Sequence, residues 1–310
     1  MVRARWSLPV LLVLAHGPAA CTSASLWPAS PGPPVRREAA AVTFAVIGDY
    51  GEAGPGEAAV AALVRGWRPD FITTTGDNNY PDGMAETIDE NVGQYYHDFI
   101  GEYRGRYGEG SPESRFFPAL GNHDWRTSDL APYLEYFTLP GNERYYSISW
   151  GPVDLFVVDS DQAEPDGNDA GSAQARWLME GLAGSRARWQ VVVLHHAPYT
   201  SGTHHGPSTA LQWPFAAWGA DAVIAGHEHL YERIERDGIA YFVNGLGGNH
   251  LRYELGPPIE GSATRFNADH GAMRVRATSD VLQLEFIAVD GRVIDARTLG
   301  TEASLSIGTR

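Results

Sequence analysis

Apolar residues in this chain come in short unbroken runs, and five of those runs stop at a polar cluster. VTFAVI (42–47) stops at Gly48-Asp49, FITTT (71–75) at Gly76-Asp77, and FFPAL (116–120) at GNHD. WQVVVL (189–194) leads into His195-His196, and DAVIA (221–225) into GHEH. Runs of this length, bounded by turn residues and rich in Val, Ile and Phe, predict buried strands. Between them lie segments of helical period. PGEAAVAALVRGW (55–67) has a proline suited to a first helical turn. SAQARWLMEGLAG (172–184) has a serine start and a glycine stop. YYSISW and VDLFVVD read as paired strands around Gly151-Pro152. ERIERDGIAYFVNG carries a two-residue hairpin signal at Asp237-Gly238. The last third continues in short alternating strands such as LQLEFIAV, with a turn at Asp290-Gly291 and no internal repeat. The pattern predicts an α/β fold whose ordered region starts near Val42. In such sheets ligands sit beyond the carboxyl ends of strands, where the loops converge.

Composition narrows the partners. The chain has 310 residues, 43% hydrophobic content and a formal net charge of -15. That is enough for one large core, and the negative surface disfavours nucleic acid and anionic lipid. A small anionic substrate then needs local positive charge, for which a metal ion is the natural source. A single cysteine, Cys21, rules out an intrachain disulfide framework. It closes a leader with a basic start (Arg3, Arg5), an apolar stretch (Leu8–Ala15) and small residues Ala19-Ala20. This predicts export, with residues 1–20 as signal peptide. The small residues before Cys21 resemble a bacterial lipoprotein site, although Pro18 stands where leucine is usual. Two destinations stay open: an envelope lipoprotein tethered to the membrane through a lipidated Cys21, or a secreted protein. Residues 21–41, rich in Ser, Pro and Ala, read as a tether, and 301–310 as a tail.

The strand-end clusters are GDYG (48–51), GDNNY (76–80), GNHD (121–124), VLHH (193–196) and GHEH (226–229). Each alone is a common turn. Together they offer Asp, Asn, His and Tyr, the oxygen and nitrogen donors of first-row metals, with no cysteine for a finger-type zinc.

The five clusters in this order resemble the metallophosphoesterase (calcineurin-like) superfamily, and within it the purple acid and tartrate-resistant acid phosphatases. The resemblance implies a four-layer α-β-β-α sandwich with two mixed sheets, spanning residues 42–300 as catalytic domain. It implies a dinuclear site. Asp49 would bind the first metal, Asp77 would bridge, and Tyr80 and His229 would complete the first metal. Asn122, His196 and His227 would hold the second. Many relatives carry a metal-binding His where this chain has Gly51, so Tyr80 supplies that ligand as a phenolate. A phenolate favours Fe(III), beside a second metal that is Zn, Fe or Mn. His196 fits the family's His-x-Pro register and His195 does not, which leaves His195 as a strand-end neighbour. His205, in His205-Gly206-Pro207, resembles the histidine that meets phosphate or leaving group, with His204 beside it. His123 would face the phosphate, oriented by Asp124. His97, His250 and His270 read as structural, with His250 placed to line the cleft.

The implied reaction is hydrolysis of phosphate monoesters. Metal-bound hydroxide would attack phosphorus in line, and His123 and His205 would stabilise charged oxygens and protonate the leaving alcohol. The implied partner is a small phosphorylated substrate. Alternatives are a phosphodiesterase acting on nucleotides or lipid head groups with the same metals, and a tethered binding protein without turnover. The tyrosine-rich insert from Pro81 to Pro118 is expected to form a lid or rim of the cleft.

Overall fold

A computed structural model describes residue 32 and residues 35–300 apart from 128. The leader, Cys21, most of the tether and the 301–310 tail lie outside the described residues. The strands are β1 (Val35–Arg37), β2 (Ala41–Ile47), β3 (Phe71–Thr74), β4 (Phe116–Pro118), β5 (Tyr146–Trp150), β6 (Val153–Val157) and β7 (Trp189–Val193). They continue as β8 (Ala222–Ala225), β9 (Tyr231–Arg236), β10 (Ile239–Asn244), β11 (Ser262–Phe266), β12 (Gly271–Thr278), β13 (Val281–Ala288) and β14 (Val293–Gly300). One sheet runs β1-β5-β6-β7-β8-β10-β9-β11 and the other β14-β13-β12-β2-β3-β4. Both are mixed. β2, β3 and β4 are mutually parallel, as are β6, β7, β8 and β10.

The unbroken apolar runs are explained by burial of both faces. In β7, Val191 and Val193 join the core between the sheets, while Val192 and the following Leu194 join a second core on the outer face. β8 repeats this, with Ala222 and Ile224 on one side and Val223 and Ala225 on the other. Successive side chains on a strand point to opposite faces. Each fully buried Val or Leu contributes about 1.5–3 kcal/mol relative to exposure.

The helix Ala173–Gly184 covers the outer face of the larger sheet through Ala175, Leu178 and Leu182. The Ser172 hydroxyl accepts the Ala175 N–H at 3.0 Å, capping its start. The helix Pro55–Gly66 sets Val60, Ala61 and Val64 against the other sheet beside β12. The result is helix, sheet, sheet, helix. The two-residue turn at Asp237-Gly238 closes β9 onto β10, with φ of 53° and 87° as a left-handed hairpin turn requires.

Two expectations change. Val35–Arg37, read as tether, forms an edge strand parallel to β5. The insert after Pro81 is not a lid: its helical segment from Ala85 to Phe99 buries Ile88, Val92, Tyr96 and Phe99 in the main core. Tyr103 of the insert and Tyr136, from the helix Ala131–Tyr136, donate their hydroxyls to Asp89 at 2.6 and 2.8 Å, which anchors the segment.

Candidate metal centre

The carboxyl ends of β2, β3 and β4 in one sheet meet those of β7 and β8 in the other, so all five motif loops converge. Asp49, Asp77 and His227 hold left-handed backbone, with φ of 54°, 54° and 71°. Residues other than glycine rarely adopt it, and such strain gathers at functional sites. The neighbouring glycines make room. A Cβ on Gly226 would lie 2.5 Å from Asp49 Oδ2, and one on Gly51 would lie 1.9 Å from the Asn78 carbonyl oxygen. The position where many relatives carry a histidine therefore accepts no side chain here.

One donor group forms around Tyr80. Its hydroxyl donates to Asp77 Oδ2 at 2.9 Å, and its oxygen lies 3.5 Å from Asp49 Oδ1 and 3.2 Å from His229 Nε2. His229 Nδ1 donates its N–H to the Leu251 carbonyl oxygen at 3.0 Å, which turns the Nε2 lone pair inward. A second group forms around His195. Its Nδ1 lies 2.7 Å from the Thr75 carbonyl oxygen, so Nε2 carries the lone pair. That nitrogen sits 3.0 Å from Asn122 Oδ1, 3.5 Å from Asp77 Oδ1 and 3.1 Å from His227 Nδ1. Lone pairs converging without protons between them are unfavourable unless a cation sits among them. The donor set of two carboxylates, a phenol, an amide oxygen and imidazoles fits a pair of first-row metal ions.

The structure brings both members of the His-His pair to the site. His195 is fully buried and belongs to both clusters of possible ligands, Asp49/Asp77/His195 and His195/His196/His227. His196 belongs to the second cluster, its ring centroid 4.4 Å from that of His227, and pairs Nδ1 with the Ser160 hydroxyl at 2.9 Å, which leaves Nε2 for a metal.

Asp124 brings a correction. It does not orient His123. Its carboxylate accepts the Gly121 N–H at 2.9 Å and the Asn78 side-chain N–H at 2.9 Å, so it ties the GNHD loop to the GDNNY loop. His123 instead sets Nδ1 2.5 Å from the Pro81 carbonyl oxygen and Nε2 3.9 Å from Asp77 Oδ2. His205 stacks on His227 with ring centroids 3.8 Å apart. Its loop is held by Glu228, a residue that the motif search passed over. The buried Glu228 Oε1 accepts the N–H groups of His205 and Gly206, each at 2.7 Å. A sixth strand end, after β10, also reaches the site: the Asn249 N–H donates to the Asp49 carbonyl oxygen at 3.1 Å.

Burial and close like charges set the electrostatics of the site. Burial pushes the Asp49 carboxyl up to about 6 despite the opposing hydrogen bond and charge of His229. Burial and then the Asp77 charge raise the Tyr80 phenol well above its ordinary value. Burial and then His196 push His195 far down. Burial also lowers His205 to about 4, with His204 adding to the effect. Burial disfavours a charged His229, yet the Asp49 hydrogen bond and charge outweigh it and the net shift is upward. Bound cations reverse the sense at the carboxyl and the phenol, because they stabilise the anions.

Paired strand-end carboxylates and histidines between two mixed sheets define a metal-dependent hydrolase fold. The chain belongs to the calcineurin-like phosphoesterase family, which it matches over residues 42–231. Purple acid phosphatase 17 of Arabidopsis thaliana is 27% identical over 288 residues, 82% of each chain. The Fe(3+)-Zn(2+) purple acid phosphatase 12 of the same plant is 26% identical over 233 residues, 66% of this chain and 46% of that one. Among solved structures, a purple acid phosphatase from yellow lupin (Lupinus luteus) seeds superposes with a TM-score of 0.69 at 18% identity, over 85% of this chain and 54% of that one. Among the described residues no helix is long and apolar enough to cross a membrane.

Proposed function

We propose that this chain is an exported phosphatase of the purple acid type, hydrolysing phosphate monoesters at a dinuclear metal site. The observation that carries the proposal is the Tyr80 oxygen, within 3.5 Å of Asp49, Asp77 and His229 at once. Asp49, Asp77, Tyr80 and His229 would hold an Fe(III). Asp77, Asn122, His196 and His227 would hold a second ion of Zn, Fe or Mn, with His195 in the same group of possible ligands, in keeping with the Fe(3+)-Zn(2+) relative. Such ions supply positive charge for the phosphate and acidify a water near neutral pH. The chain's own residues do the rest. His123, at the cleft mouth with Nε2 turned toward Asp77, faces the phosphate oxygens. His205, exposed on a loop fixed by Glu228, is placed to protonate the leaving alcohol. Export and a lipid anchor at Cys21 rest on the leader sequence.

The test is metal content and the visible spectrum of the aerobically purified protein beside Tyr80→Phe. Iron with a second metal, and a visible band lost in the variant, is the expected result. Two metals without that band would remove the iron–phenolate assignment. A preference for the bis-ester over the monoester of 4-nitrophenol would turn the assignment to a phosphodiesterase.

A further inference from the structure

We propose that the cleft beside the metal centre selects substrates by the charge of their alcohol part, with Glu52 as the residue that excludes anionic leaving groups. The inference rests on the phosphatase reading above. A cavity of about 340 Å³ opens on the side of the site where Tyr80, His123 and His229 present their edges. This is the lower end of the range for small-molecule sites, roughly 300–1,000 Å³, and suits a single ring better than a nucleotide.

Its walls are apolar. Tyr253 stacks on His229 with centroids 4.3 Å apart and planes at 12°, and on His204 at 3.9 Å and 21°. Tyr253 and His229 line the cavity, and His204 stacks on Tyr253 behind them. Leu251 also lines it and is 48% exposed, an apolar side chain left open to water at the mouth of a site. Leu251 also gives its carbonyl oxygen to His229, so wall and metal ligand move together.

The charge is one-sided. No Lys or Arg lines this cavity. Glu52 lines it three residues beyond Asp49, on the loop that follows β2. Its carboxylate accepts the His250 N–H at 3.0 Å and lies 2.7–2.8 Å from His250 Nδ1. This pair joins the loops after β2 and β10, and so holds the carboxylate in place at the cleft. In monoester hydrolysis the water oxygen bonds to phosphorus, the bond from phosphorus to the alcohol oxygen breaks, and that oxygen takes a proton. With phosphate at the metals and His123, the alcohol part occupies the cavity. A second negative charge there would meet Glu52 with no Lys or Arg in the lining to offset it and with the His250 imidazole already paired to that carboxylate, whereas a neutral or cationic ring would not.

The experiment compares kcat/KM for phenyl phosphate, 4-carboxyphenyl phosphate and 4-(aminomethyl)phenyl phosphate at one pH and ionic strength. The carboxylate makes its phenol the better leaving group, so intrinsic reactivity works against the expected order. The metal-loaded wild-type protein should prefer the neutral over the anionic ester by about tenfold, the size of a like-charge contact across a partly wet cleft. The cationic ester should be used at least as well as the neutral one. Glu52→Gln should shrink the neutral-to-anionic ratio to within about threefold. Glu180→Gln, on the exposed face of the helix Ala173–Gly184, removes the same net charge far from the cleft and should leave the ratio unchanged. Equal use of all three esters by the wild type would overturn the proposal, and needs no variant to fold. Equal shifts from both substitutions would also overturn it, by assigning the effect to the global field. Hydrolysis of none of the three would overturn the phosphatase reading itself, and this proposal with it.

Discussion

At the scale of single residues, the site depends on which nitrogen each histidine turns inward. His195 and His229 both place Nδ1 at a backbone carbonyl oxygen, and this fixes Nε2 as the lone-pair donor before any metal arrives. His196 joins His195 and His227 in one group of possible ligands, with Nδ1 held at the Ser160 hydroxyl, so His196→Ala should lose the second metal. Elemental analysis of that variant beside His195→Ala checks it, and full metal content in His196→Ala with loss from His195→Ala would move the ligand to His195. Glu228 acts through the loop it holds. Glu228→Ala frees the His205 and Gly206 N–H groups inside a buried pocket, and should lower kcat by about tenfold or more. Glu228→Gln keeps one oxygen able to accept both N–H groups and should stay within about threefold of wild type. Steady-state kinetics with metal content measured alongside distinguish loop positioning from metal loss.

At the scale of elements, the strands and the two long helices were legible because their signals are local. Pro55 and Ser172 sit at helix starts for reasons that one turn of backbone supplies. Ser172→Ala removes the hydroxyl that caps Ala175 and should cost about 1 kcal/mol, read as a lower urea midpoint with unchanged activity. Asp237-Gly238 announced its hairpin because both residues accept positive φ. The insert after Pro81 was misread for the opposite reason. Aromatic content does not say whether a tyrosine faces a cleft or a core, and Tyr96, fully buried, packs edge-on against Tyr50. The edge strand Val35–Arg37 was missed because its three residues are exposed and carry no apolar alternation, so its pairing with β5 rests on the backbone and on Arg37 over the Trp150 ring.

At the scale of the whole molecule, the two sheets bring together acids and imidazoles that repel or desolvate one another without cations. Chelation of the metals should lower the melting temperature, and adding them back should restore it, because ions that bind the folded state alone stabilise it by mass action. Differential scanning fluorimetry with and without chelator tests this, and an unchanged transition would mean that the folded site does not depend on metal. The sequence by itself determined the fold class, the order of the strand-end loops and most of the donor atoms. These follow from apolar runs, turn residues and the donor chemistry of Asp, Asn, His and Tyr. Only the tertiary structure moved Asp124 from His123 to the Gly121 and Asn78 N–H groups, set the His205 loop on Glu228, and brought both His195 and His196 to His227. The physical reason is that these contacts join loops from different strands, and no local periodicity along the chain encodes which loops meet once the two sheets pack together.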